Sequence, residues 1–252
     1  MTRFRITLEY DGIDLIGWQE NRQGPSVQSI LRDAIYAFCG VRPDIVAAGR
    51  TDAGVHALGM VAHFDLDGAF DANTVMRAVN FYLAEKPVVI LSCDVVADDF
   101  NARFDCTARH YRYVVLNRRA APVLNKNRVW WVPRKLNIDA MRDAATHLIG
   151  HHDFTSFRAT QCQAKSPIKT LDACNIITDG DNVIFEFSAR SFLHHQVRNM
   201  VGTLVEIGLG KPYDIDEIFA ACNRSAAGPT APASGLYFIS ADYSTDASHS
   251  DI

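Results

Sequence analysis

Apolar and polar residues alternate over residues 2–10, which predicts a strand, and Asp11-Gly12 follows with turn chemistry. The period then changes. Val27, Ile30, Leu31, Ala34, Ile35 and Phe38 recur at helical spacing behind Ser26, whose hydroxyl suits a helix cap. The apolar run 45–48 and the alternation over 60–64 predict two strands around a short loop. Residues 72–83 read as a second helix and 88–95 as a strand. Strand, helix, strand, strand, helix, strand is the order of a ferredoxin-like unit.

The second half repeats the rhythm loosely. Strands are predicted at 109–116 and 128–132, then a helix over 138–149 with the stripe Ile138, Met141, Ala145, Leu148 and Ile149, closed by Gly150. Strands at 171–177 and 183–189 join through Asp179-Gly180-Asp181. Helices follow at about 195–207 and 214–222, and a last strand at 236–243. The pattern predicts an α+β protein of two ferredoxin-like α/β halves with mainly antiparallel sheets, meeting near residues 99–105 around a central cleft. The expected units are residues 1–104 and 105–243, with a polar, disordered tail over 244–252.

Composition narrows the classes. The chain has 252 residues and is 48% hydrophobic, enough for a sizeable core, with no apolar run of membrane-spanning length. Residues 1–5 lead directly into a strand and resemble no signal peptide, so a soluble cytoplasmic protein is expected. Six cysteines without a C-x-x-C pair argue for free thiols over a zinc ribbon or redox motif. The net charge of −4 does not suggest a nucleic-acid binder, but its distribution changes that picture. Residues 101–135 hold nine Lys and Arg against one acid, Asp105. Such a segment is either a solvated face or a phosphate-facing surface; on the second reading Arg103, Arg109 and Arg112 would hold an RNA backbone.

The densest chemistry lies in Gly49-Arg50-Thr51-Asp52-Ala53-Gly54-Val55-His56. The glycines permit backbone angles that place Asp52 on a sharp exposed turn. Asp52 is then either a turn residue bonding its own backbone or a poised nucleophile or base. An Arg beside it would keep it ionised, and an ionised carboxylate attacks without a general base. Helical spacing places Arg198 on the face of His194 and His195. Tyr111 and Tyr113 share one strand face and Arg112 the other, which suits base stacking or core packing. The pairs His151-His152 and His194-His195 invite a metal, but neighbouring side chains diverge and no third ligand is nearby in sequence. No phosphate-binding glycine loop and no G-x-S-x-G elbow is present.

These motifs, in this order, resemble the tRNA pseudouridine synthase A family. The likeness also includes Gly17-Trp18-Gln19, Ser26-Val27-Gln28, residues 99–104, Tyr111-Arg112-Tyr113, residues 153–157, residues 194–200 and Gly235-Leu236-Tyr237. It implies the pseudouridine synthase fold and a cofactor-free isomerase that converts uridine to pseudouridine at positions 38, 39 and 40 of the tRNA anticodon stem-loop. It implies Asp52 as nucleophile, Arg198 as its ion-pair partner and Tyr111 as the residue stacked on the target base. Arg50 would help flip that base, and Leu236 would pack beneath the tyrosine. It further implies a homodimer holding one tRNA across paired basic clefts; the spacing of the His pairs argues for no metal. Asn101 stands where many relatives carry His, and His56 is left without assigned chemistry.

Overall fold

A computed structural model describes residues 1–244; apart from Ser244, the predicted tail lies outside the described residues. The first half contains β1 (Thr2–Tyr10), α1 (Val27–Cys39), β2 (Val46–Ala47), β3 (His56–Leu66), α2 (Ala72–Tyr82) and β4 (Val88–Val96). The second contains β5 (Cys106–Leu116), β6 (Trp130–Trp131), α3 (Ile138–Thr146), β7 (Gly150–Asp153), β8 (Ile168–Leu171), β9 (Ala173–Asp179), β10 (Asn182–Ala189), α4 (Gln196–Gly208), α5 (Ile215–Ala221) and β11 (Leu236–Tyr243).

Nine strands join in one sheet ordered β4-β1-β3-β11-β5-β10-β9, with β2 on β3 and β6 on β5, and β7 and β8 form a separate pair. Each half keeps the ferredoxin-like order: β4-β1-β3-β2 in the first and β11-β5-β10-β9 in the second. Most pairs are antiparallel. The junction between the halves is parallel and short, with Tyr237 opposite His56 and Phe238 opposite Ala57. β1 occupies the other edge of β3, so β2 and β11 share one edge. β2 pairs near Ala62 and His63, and β11 near His56 and Ala57. That edge therefore forks, and residues 48–55 run through the fork.

Local chemistry explains most boundaries. The Ser26 hydroxyl accepts from the Ser29 amide, and Ser29 returns a bond to the Ser26 amide, closing a capping box on α1. Gly40 ends that helix in the left-handed conformation. Helix α3 stops at Thr146, short of the predicted 149, because residues 147–149 tighten into three-residue turns before Gly150 starts β7. The two short strands β7 and β8 pair with each other, which the polar stretch Gly150–Asp153 did not signal. Asp172 interrupts the strand predicted over 171–177.

Helix α4 is buried over most of its surface, and a segment over residues 227–231 lies directly across it. Gly202 admits this approach: a Cβ there would stand 1.7 Å from the Pro229 carbonyl oxygen. The Thr203 hydroxyl accepts from the Gly228 amide at 2.9 Å, and the Arg198 carbonyl accepts from the Ala231 amide at 3.1 Å. Arg224 donates to the Gly228 carbonyl, the Asn199 side chain and Thr230 at 2.8–3.1 Å. A backbone atom cannot yield as a flexible side chain would. Gly202→Ala is therefore expected to destabilise the fold by about 1–3 kcal/mol. Thermal or urea unfolding beside the parent checks this, and an unchanged midpoint contradicts the packing account.

Candidate active site

The fork in the sheet opens into a cleft of about 830 Å³ lined by residues of both halves. Residues 48–55 form part of its wall, and the chain just after β1 holds them in place. Gly17, at φ +100°, brings the Trp18 amide to 3.0 Å from the Thr51 carbonyl oxygen; a Cβ on Gly17 would meet that oxygen at 2.4 Å. The Thr51 hydroxyl meets the Tyr10 hydroxyl at 2.9 Å. The Asp52 carbonyl accepts from the Val55 amide at 3.2 Å, with Gly54 at φ +80° completing the turn. Gly54 thus has the expected role. Gly49 does not adopt a positive φ, and a Cβ there would make only ordinary contacts, the nearest being the Tyr111 hydroxyl at 3.7 Å.

Asp52 points into the cleft with both carboxylate oxygens engaged. Arg198 Nη1 donates to Oδ2 at 2.8 Å, while Arg198 Nε donates to the Ala231 carbonyl at 2.8 Å. His195 Nε2 lies 3.2 Å from Oδ2, and His194 Nε2 lies 3.1 Å from Oδ1. Burial alone would raise this carboxyl's pKa. His195 and Arg198 more than offset that and bring it down to about 2. Asp52 is accordingly ionised at neutral pH. The cation beside it is Arg198; Arg50, the other candidate, lies at the exposed rim of the cleft.

The expectation that adjacent histidines diverge fails at His194 and His195. His195 has φ +63°, and this left-handed turn aims both imidazoles at one carboxylate, their ring centroids 4.0 Å apart. The sequence points to the pair only as metal ligands and carries no direct sign of its contact with Asp52. The available signal was the adjacency of the pair to Arg198. Among the described residues, Asp52, His194 and His195 form the one group whose ligand atoms lie close enough for a metal, within 4.8 Å of one another. Arg198 already occupies Oδ2, and its charge opposes a cation there.

Tyr111 enters the same cleft from β5, nine-tenths buried. The rings of Phe192 and Phe238 meet it edge-on, with centroids at 5.1 and 5.2 Å. Burial drives its hydroxyl pKa far up, and the Asp52 charge adds to that, so the phenol stays neutral. Leu236 lines the cleft but sits opposite Tyr113 in the sheet, whereas Phe238 sits opposite Tyr111. The aromatic partners identified for Tyr111 are therefore Phe238 and Phe192, which sequence reading did not single out.

The three arginines expected on an RNA backbone part company. Arg103 is exposed and lines the cleft. Arg109 is a correction: it is buried, donating from Nε to the Ala48 carbonyl at 2.8 Å, from Nη2 to the Arg103 carbonyl at 2.7 Å and from Nη1 to the Arg190 carbonyl. Its guanidinium clips the cleft wall together. Arg112 is also corrected. It lies on the sheet face opposite Tyr111 and pairs with Glu186 at 2.9 Å. Asn101 accepts from the Arg103 and Phe104 amides at 3.0 and 3.2 Å, shaping the loop that carries Arg103. His56 is buried and stacked on Tyr237 at 4.7 Å, its Nδ1 3.2 Å from the Gly12 amide and 3.0 Å from Asp11, which suits a structural role.

Comparison with known proteins gives a consistent result. The family model for tRNA pseudouridine synthase matches residues 144–244. A tRNA pseudouridine synthase A of Rhodospirillum centenum is 53% identical over 245 residues, 96% of this chain and 100% of that protein. The protein of that name from Rhodospirillum rubrum is 51% identical over 95% of this chain and 87% of its own. That from Paramagnetospirillum magneticum is 49% identical over 97% and 96%. A solved Cbf5-Nop10-Gar1 complex aligns with 80% of this chain and 44% of its own, at a TM-score of 0.35 and 11% identity, too loose a likeness to add weight. On the identity and coverage of these relatives, and with Asp52 and Arg198 paired in the cleft, the chain belongs to the tRNA pseudouridine synthase A family.

Proposed function

We propose that this protein isomerises uridine to pseudouridine at positions 38, 39 and 40 of the tRNA anticodon stem-loop, with Asp52 as the nucleophile. The observation that carries the reading is an ionised carboxylate, paired with Arg198, in one cleft with the neutral ring of Tyr111. The reaction breaks the N1–C1′ bond, turns the uracil and joins C5 to C1′, after which the C5 proton leaves and N1 takes up a proton. No electrons are exchanged, so the chemistry requires no redox cofactor. A stem base must leave its stack to be reached, at a cost of a few kcal/mol. Stacking on Tyr111 returns about 1–3 kcal/mol. Arg50, which lines the cleft, would help hold the flipped base, and Leu236, on the same cleft wall, would add apolar surface beside it. Asp52 then attacks C1′ or C6, or removes the C2′ proton.

The family resemblance supports a homodimer holding one tRNA across paired clefts, which sedimentation of the free protein tests. Among the described residues, no helix is long and apolar enough to cross a membrane, and a tRNA substrate supports a cytoplasmic site of action. The ferredoxin-like strand order in each half supports units at residues 1–104 and 105–243.

Asp52→Asn is expected to abolish pseudouridine formation and to leave tRNA affinity within a few-fold, because it keeps size and removes charge. Primer extension after carbodiimide treatment locates modified positions, and full activity of this variant would refute the nucleophile assignment. The folded-state pKa of Asp52 is lowered to about 2 from 3.8, so its stabilising contribution is fully present above about pH 4 and is lost as pH falls through 2. Its own protonation should therefore not limit activity in any buffer above about pH 4. An acid limb that lies higher and moves with Asp52 substitutions contradicts this.

tRNA affinity should fall steeply with salt. Arg103→Ala should reduce the slope of log K against log salt by about 1, whereas Arg112→Ala should leave it unchanged. Equal effects of the two would move the RNA surface away from the cleft.

A further inference from the structure

We propose that His195 is a positioning residue that fixes Oδ2 of Asp52, so that Oδ1 is the oxygen presented to substrate. The proposal rests on Asp52 being the nucleophile and concerns how this chain holds it.

The two carboxylate oxygens have different partners. Oδ2 is held by Arg198 Nη1 at 2.8 Å and by His195 Nε2 at 3.2 Å. Both partners are themselves fixed. Arg198 is tied through Nε to the Ala231 carbonyl, and its own carbonyl accepts from Ala231. His195 stands at the N-cap of α4, where its carbonyl accepts from the Asn199 amide at 2.9 Å. Oδ1 is contacted by His194 Nε2 at 3.1 Å, and His194 is the more exposed of the two imidazoles. His194, the more exposed imidazole, is the one that an entering base can displace from Oδ1, while His195, with its backbone fixed at the start of α4, stays on Oδ2 beside Arg198.

The backbone supports this division. N-caps are usually extended and carry a side chain that caps the helix. His195 does neither: it is left-handed, and its side chain makes no capping bond. A left-handed non-glycine residue carries strain that persists only where its surroundings impose it, and such residues cluster at functional sites. Here the conformation turns the imidazole away from the helix and onto Asp52. Gly or Asn would satisfy the backbone more easily, and neither would reach the carboxylate.

That difference supplies the test. His195→Gly relieves the left-handed strain and removes the imidazole. It is expected to lower kcat at least tenfold, with KM and tRNA affinity within about twofold and the unfolding midpoint unchanged or raised. Free imidazole added to the variant should restore part of kcat. His195→Asn, which tolerates the same backbone, should behave alike without rescue. Parent-like kcat in either variant overturns the proposal, because the residue then serves the backbone alone. Loss of tRNA affinity or of folding alongside kcat in both overturns it too, assigning His195 to binding or stability. The Asp52→Asn assay separates this from failure of the underlying reading. If Asp52→Asn is inactive while His195→Gly is fully active, Asp52 remains the nucleophile and only the positioning role falls.

Discussion

A carboxylate and a guanidinium 146 residues apart in sequence meet at 2.8 Å, and the rest of the site is arranged around that contact. Asp52 belongs to the loop between β2 and β3 in the first half, and Arg198 to the first turn of α4 in the second. Neither half contains the pair alone. Burial works against an ionised Asp52, and Arg198 and His195 more than offset it. What fixes Arg198 therefore bears on Asp52 as well. The segment over 227–231, the missing side chain at Gly202 and the Arg224 network all act on that one guanidinium through Ala231.

Much of the fold was legible because its signals are local. β1 and β11 run as their alternation predicts, and α1 begins where Ser26 says it should. The ferredoxin-like order followed from element order alone. What stayed hidden depends on contacts distant in sequence. Nothing local in Leu236 to Tyr243 says that this strand pairs with both β3 and β5. Nothing local in Gly150–Asp153 says that four polar residues pair with β8.

The site divides in the same way. Asp52, Tyr111 and Arg198 were named through the family resemblance, and the structure brings all three to one cleft. Arg109 and Arg112 were grouped with Arg103 because charge is visible in a sequence and direction is not. Strand alternation does separate Arg112 from Tyr111, but it sets Arg109 on the cleft face and cannot say that three carbonyls there consume its donors. His194 and His195 show the reverse error. Adjacent side chains were expected to diverge, and a single left-handed residue makes them converge. Backbone sign is set by surroundings, so periodicity carries no trace of it.

The forked edge of β3 has a consequence for biosynthesis. β11 follows every other strand and helix of the described chain, yet it is the central strand that joins the halves. During synthesis the second ferredoxin-like order is left unfinished at the seam, and β3 and β5 each present an open edge until β11 emerges between them. Open edges are templates for pairing with other chains. The nascent protein thus passes through a stage in which Asp52 and Arg198 already exist but no strand holds their halves side by side. The cleft, lined by residues of both halves, is thus complete only once this late strand is in place.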